Sequence, residues 1–265
     1  GDNCIDRYLT SVPKSYAGGN AVNTAVHMKL AGGEVSYMGA VGRDKEGSAI
    51  LEKLASKGID VSYCQTYDTN TAYTDVGVDE DGNRVFLRED PGATDCLTID
   101  SESLSYIRSF DLVHNTWLGR TEKHLAAFRD GQKKIITMDY GERYSDQFLA
   151  QTLAKVDIAF FSTHLGEHEK AESVARYVIE QGPLLVVVTM GEKGSLAYDG
   201  AKLFYCEAEA IEAVDTLGAG DTYIANFLVS WLQTKDIALC MEAATQAAAK
   251  ICVLAGAWED SEIFL

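Results

Sequence analysis

The chain has 265 residues with 40 acidic and 23 basic side chains, a formal net charge of −17. That balance disfavours a nucleic-acid partner, because a phosphate backbone needs a basic surface. Apolar content of 46% is ample for one large α/β domain, and no apolar run reaches the roughly 18 residues that a membrane span requires.

No secretory signal pattern is visible, so a cytoplasmic location is expected. The six cysteines (Cys4, Cys64, Cys96, Cys206, Cys240, Cys252) are scattered, without a C-x-x-C pair. Reduced, mostly buried thiols are the expectation.

Gly1 to Asp6 reads as the end of a strand carrying two carboxylates, Asp2 and Asp6. Arg7 to Ala17 contains Pro13 and reads as a loop or edge strand. Gly18-Gly19-Asn20 opens a helix with an apolar stripe, which ends at Gly32-Gly33. A strand over 35–41 and a helix over 45–57 follow. This β/α alternation predicts a mostly parallel sheet covered by helices.

Two short alternating segments, 72–78 and 84–88, break the rhythm. Asp79-Glu80-Asp81-Gly82-Asn83 joins them in a hairpin turn. Such an excursion from the main sheet fits a lid over a pocket, or an edge decoration. The alternation then resumes. Strands are predicted over 110–114, 134–138, 157–161 and 184–189, and helices over 121–129, 145–154 and 167–181. Two short strands, 195–198 and 202–206, precede a Gly-rich turn and a helix over 223–232. A final helix covers 237–254. One domain over 1–265 with lid excursions near 8–17 and 72–89 is the resulting organisation.

The chain is organised around Asp215-Thr216-Leu217-Gly218-Ala219-Gly220-Asp221. A Gly-rich turn that opens a helix points unpaired N–H groups at one spot, which suits an anion. A carboxylate beside that spot makes sense if it takes a proton from a hydroxyl approaching a phosphate. The same residues also fit a plain turn with Asp221 as helix cap. Gly18 to Asn23 sets two amides one turn apart, suited to neighbouring hydroxyls of a sugar, although each alone fits a cap. Thr189-Met190-Gly191-Glu192-Lys193-Gly194 lets a phosphate approach the backbone, or simply turns into a hairpin. No P-loop pattern occurs. Of His27, His114, His124, His164 and His168, only the last two have helical i, i+4 spacing, so core or surface roles are expected rather than a metal site.

Two of these stretches, Gly18 to Ala25 running on to Gly42 and Asp215 to Asp221, together resemble the two signatures of the ribokinase-like PfkB family of carbohydrate kinases. The resemblance covers essentially the whole chain. It implies a Rossmann-type, mostly parallel sheet flanked by helices, with a small β lid. It implies Asp221 as catalytic base and the Gly218, Ala219 and Gly220 amides as anion hole. Asp2, Asp6, Gly19, Asn20 and Asn23 correspond to sugar contacts. Thr189, Gly191, Gly194, Ala248 and Cys252 correspond to the ATP site. ATP and Mg²⁺ are implied, with K⁺ as a further possibility at Asp215 and Thr216. Pairing of two subunits through the lid is known in the family.

Within the family, the members most resembled act on the 6-hydroxyl of a ketosugar-amine such as fructoselysine. That likeness rests on 1–6, 18–23, 215–225 and the terminal Gly256-Ala257-Trp258. Kinases for fructose, ribose, a sugar acid or a nucleoside are the alternatives within the family. A catalytically silent ligand-binding regulator is the alternative outside enzymes. Three departures stand out. Asn226 replaces the Gly or Ala of the second signature. Ser162 to Glu167 lacks the Asn of the N-x-x-E motif, leaving Glu167 as the candidate Mg²⁺ ligand. Asp139-Tyr140-Gly141-Glu142-Arg143 resembles a D-x-N-x-R motif with Gly141 in place of Asn.

Overall fold

A computed structural model describes residues 1–9, 14–78, 84–129, 134–142, 144–163, 168–254 and 256–264. In chain order the elements are β1 (Cys4–Tyr8), β2 (Lys14–Gly18), α1 (Asn20–Leu30), β3 (Ala40–Gly42), α2 (Lys45–Ser56), β4 (Gln65–Tyr67), β5 (Tyr73–Val78) and β6 (Arg84–Asp90). There follow α3 (Ser101–Ile107), β7 (Leu112–Thr116), α4 (Leu125–Phe128), β8 (Ile135–Asp139), α5 (Asp146–Thr152), β9 (Ile158–Ser162), α6 (His168–Ile179) and β10 (Leu185–Thr189). The last are β11 (Ser195–Tyr198), β12 (Leu203–Cys206), α7 (Ala219–Thr234), α8 (Ile237–Ile251) and β13 (Glu262–Ile263).

The main sheet has the order β12-β11-β10-β9-β8-β7. β7 to β10 run parallel, and β11 and β12 add an antiparallel edge. Burial on both faces explains the unbroken apolar runs such as Leu185 to Val188. One face packs Met138, Phe161, Val186 and Val188 against α5 and α6. The other packs Phe160, Leu185 and Val187 against Phe227 and Leu228 of α7 and Met241 and Ala244 of α8. Parallel register brings Thr116, Asp139, Ser162 and Thr189 to one edge, the carboxyl ends of the strands. Ligands of open α/β sheets bind outside that edge.

A second sheet has the order β13-β2-β1-β5-β6. β2, β5 and β6, the described strands of the expected excursions 8–17 and 72–89, thus belong to one five-stranded layer with β1 and β13. Residues 10–13 and the expected turn at 79–83 lie outside the described residues. Ile5, Ala17, Tyr73 and Ile263 pack into a core with Val22, Val26, Ile50, Leu54 and Trp258. Alternation along β1 sends Asp6 to the opposite face from Ile5.

The sequence expectations need several corrections. Cys4 starts a strand rather than ending one. The strand expected over 35–41 is only an isolated Ser36–Asp60 bridge and β3, which pairs with β4. Its partner leaves the ladder in a turn, where Ser62 N–H donates to the Asp60 carboxylate and Cys64 N–H to Val61 O. The helix expected over 121–129 shrinks to α4, because buried Thr121 is held by the Asn115 side chain and 121–124 forms a tight turn. α3 has no counterpart among the expected elements; Asp100 caps it by accepting from Ser103 N–H at 2.8 Å. Cys96 is exposed and Cys4, Cys64 and Cys206 are half-buried, against the expectation of mostly buried thiols; all six are free.

Candidate active site

The site forms where α1, α7 and the carboxyl edge of the main sheet meet. Asn20 and Asn23 lie one helical turn apart on the first turn of α1, so they face the same way. α1 has no cap from its own N-cap residue, Gly19. Asp2 supplies it instead: Oδ2 accepts from Asn20 N–H at 2.8 Å and Oδ1 from Ala21 N–H at 3.2 Å. Oδ1 also accepts from Thr116 Oγ1 at 2.5 Å. Asp2, expected as a sugar contact, thus also caps the helix. Gly19 has φ +101°, and a Cβ there would lie 2.6 Å from the Asn3 backbone. It lets segment 1–4 approach the helix.

Asp221 lies in the first turn of α7 and is 9% exposed. Asn23 Nδ2 donates to its Oδ2 at 2.8 Å. Burial pushes the Asp221 carboxyl well above the usual range, Asn23 opposes this, and the charges of Asp139, Asp2 and Asp6 push it further up. Four carboxylates therefore share one region. Asp6 points at it too: a Cβ on Gly18 would be 2.9 Å from Asp6 Oδ2 and 3.7 Å from Asn23 Oδ1. Asp139, named in the sequence at the head of the D-x-N-x-R-like stretch but not among the site candidates, joins the site. It is 5% exposed, accepts from Gly141 N–H at 2.9 Å and from Asn20 Nδ2 at 3.2 Å. Burial raises its carboxyl to about 6. Its place at the carboxyl end of a parallel strand was the available signal. Among the described residues, no lysine or arginine forms an ion pair with Asp2, Asp139 or Asp221.

The Gly-rich turn enters α7 with Gly218 as N-cap at φ +74°. Ala219 N–H donates to Thr216 O at 3.2 Å, so that amide of the expected trio is already engaged. Gly220 and Asp221 belong to the first turn, whose N–H groups lack helical partners. Nothing lies within 4 Å of where a Gly220 Cβ would sit, so this side of the turn is open. A carboxylate held in place beside such donors can accept a proton from a hydroxyl while an anion rests on the helix end. Asn226 uses its amide locally, donating to Thr222 O at 2.9 Å.

The expected nucleotide residues sit along the neighbouring edge. Thr189 ends β10, and its hydroxyl pairs with Ser162 Oγ at 2.9 Å. Gly191 has φ +57° and open space around it. Gly194 serves packing, because a Cβ would collide with Cys206 O. The Cys252 carbonyl accepts from Val214 and Asp215 N–H, tying the end of α8, one turn beyond Ala248, to the central turn. Asp215 Oδ1 accepts from Leu217 N–H and Oδ2 from Gly256 N–H, so its carboxylate braces the loop. No group of three His, Cys, Asp or Glu suited to a metal gathers among the described residues. Glu167, Arg143 and His164 lie outside them. His27 bonds Ala257 O, and His114 bonds Thr137. No described helix is long and apolar enough to cross a membrane.

The chain is 31% identical over 258 residues to fructoselysine 6-kinase of Escherichia coli (strain K12), covering 97% of each chain. It is 31% identical to the fructosamine kinase FrlD of Bacillus subtilis (strain 168), covering 97% of this chain and 91% of that one. In structure it is similar to Arabidopsis thaliana ribokinase complexed with ribose and ATP: TM-score 0.85, 20% identity, 97% and 92% of the two chains. A putative ribokinase II from E. coli in complex with ATP and Mg²⁺ superposes with TM-score 0.83 at 16% identity, over 98% and 94%. Residues 9–262 match the pfkB family of carbohydrate kinases; the chain belongs to that family and is a phosphotransferase acting on a hydroxyl of a small sugar substrate.

Proposed function

We propose that the chain is an ATP- and Mg²⁺-dependent kinase for the 6-hydroxyl of a fructosamine such as fructoselysine. The observation that carries the chemistry is buried Asp221, oriented by Asn23 beside the open first turn of α7. In this reading the sugar hydroxyl attacks the γ-phosphorus of ATP in line. The O6–P bond forms, the β,γ-bridging P–O bond breaks and ADP leaves. The hydroxyl proton passes to the Asp221 carboxylate. Negative charge on the transferring phosphoryl group rests on the N–H groups of Gly218 and Gly220, with the Ala219 N–H shared with Thr216 O. Thr189 and Gly191 offer a hydroxyl and an open backbone to the nucleotide phosphates, Gly194 shapes their turn, and Ala248 and Cys252 lie toward the adenine.

Mg²⁺ would offset phosphate charge. Its expected ligand, Glu167, is outside the described residues, so no step is assigned through it. K⁺ is assigned to Asp215 and Thr216 on the family resemblance alone.

The substrate reading is supported by the two relatives at 31% identity and by the charge of the site. Asp139 and Asp221 are buried and form no ion pair with a lysine or arginine among the described residues. A ligand that brings its own ammonium group compensates them. Asn20 and Asn23 are one turn apart, about 5–6 Å between Cβ atoms. Through these amides, Asp221 and Asp139 take opposite ends of that span, a length comparable to a hexose ring. Asp221 would meet the 6-hydroxyl and Asp139 the amine-bearing end.

The second sheet, with Asp6 on the face away from the core, serves as the lid in this reading. Its edge strand β6 exposes Val85 and Leu87, which suits pairing with a second copy. The chemistry is tested with Asp221→Asn: turnover should fall by about three to five orders of magnitude while sugar binding stays within about threefold. Near-normal turnover would remove Asp221 from the role of base.

A further inference from the structure

Gly256-Ala257-Trp258 takes no part in the reaction as proposed, yet it is fastened to the site at several points. Gly256 N–H donates to Asp215 Oδ2 at 3.0 Å. His27 Nε2 bonds Ala257 O at 2.8 Å. Gly218 lies against Ala257, so that a Cβ there would come within 2.8 Å of the Ala257 Cβ. Trp258 is 1% exposed, and its indole Nε1–H donates to Asn23 Oδ1 at 3.0 Å. Asn23 Nδ2 in turn donates to Asp221 Oδ2.

The chemistry of the three groups makes this a directional chain. An indole nitrogen is a donor only, so it pairs with the carbonyl end of the amide. The amino end is then the one presented to Asp221. A free Asn23 amide could turn over and set its carbonyl against the carboxylate, replacing attraction by repulsion.

We propose that Trp258 is a positioning residue for the base: its N–H locks the Asn23 amide so that an N–H always faces Asp221. This rests on the reading of Asp221 as base. The other titratable groups facing Asp221 are Asp139 on β8, Asp6 on β1 and Asp2. Lys57 lies over the Trp258 ring, 5.0 Å from its centroid, and His27 holds the adjacent carbonyl. Removing the indole N–H leaves all of these in place.

The test uses Trp258→Phe and, should that variant fold poorly, replacement of Trp258 by 3-benzothienylalanine, which keeps the ring shape and exchanges N–H for sulfur. Rates are measured against pH with fructoselysine and ATP, or with fructose should fructoselysine prove inert. Because Asn23 favours the ionised carboxylate, its disorientation raises the pH at which the base becomes active. The acid limb of kcat/KM should move up by about half to one pH unit and kcat fall on the order of tenfold, with sugar KM nearly unchanged. Asn23→Ala should abolish any further effect of the Trp258 change. An unmoved acid limb in a folded variant, or independent, additive losses in the double variant, would overturn the proposal. Full turnover by Asp221→Asn would instead remove the base assignment on which it stands.

Discussion

Asn20 Nδ2 on α1 donates to Asp139 Oδ2 at the end of β8 across 3.2 Å, joining residues 119 positions apart. The bond uses the donor end of the Asn20 amide and leaves its oxygen as an acceptor. Asp139 is buried and forms no ion pair among the described residues.

Asp139→Asn should therefore act on substrate choice. The new amide keeps one accepting oxygen, which can serve Asn20 Nδ2 or Gly141 N–H but not both, and it loses the charge. KM for fructoselysine should rise about 10- to 100-fold, the loss of one charge-assisted contact, while KM for fructose changes less than about threefold. Steady-state kinetics with both sugars measures this. An equal loss for both would place Asp139 in the support of Asn20 alone.

The same exchange should remove a loss of stability that sets in as pH rises. Burial holds the folded-state Asp139 carboxyl at about 6, against 3.8 unfolded. The folded state then binds the extra proton between these values, so ionisation costs stability as pH rises through about 6. The cost is fully present above that pH and absent below about 4. The effect of Asp139→Asn should be more favourable at pH 8 than near pH 4 by up to about 3 kcal/mol, the acceptor it loses being common to both. Urea denaturation at the two pH values reads the difference.

The two glycines of the nucleotide turn should part company. Gly191→Ala meets open space and carries only the strain of φ +57°, about 1–2 kcal/mol. It should fold, with a raised KM for ATP. Gly194→Ala drives a Cβ into the Cys206 carbonyl at φ +84°. It should lose far more thermal stability, since neither backbone can yield without breaking the β11–β12 ladder. Melting temperatures together with ATP kinetics separate the two.

The helix starts at Gly18 to Asn23 and at Gly218 to Asp221 were legible because capping, glycine turns and helical spacing are local signals. The α/β class was legible for the same reason, from alternating apolar runs. Asp139 and Trp258 stood out only as parts of family-like stretches; their bonds to Asn20 and Asn23 were not legible, because they form only after the sheet assembles. Trp258 meets Asn23 from 235 positions away. That two N–H groups of α1 also bond the Asp2 carboxylate was not legible, because nothing local brings segment 1–4 to the helix start. The packing of Gly194 against the Cys206 carbonyl was hidden for the same reason. The 35–41 segment had the composition of a strand, but its partner turned away.

The identity of the acceptor is the central claim. ADP release by the purified protein should be measured with ATP and Mg²⁺ against fructoselysine, fructose, ribose, a sugar acid and adenosine. The expected result is a kcat/KM for fructoselysine at least about tenfold above every other acceptor, with phosphate found on the 6-hydroxyl. Equal or better use of fructose, ribose or adenosine, or no ADP with any acceptor, would contradict it.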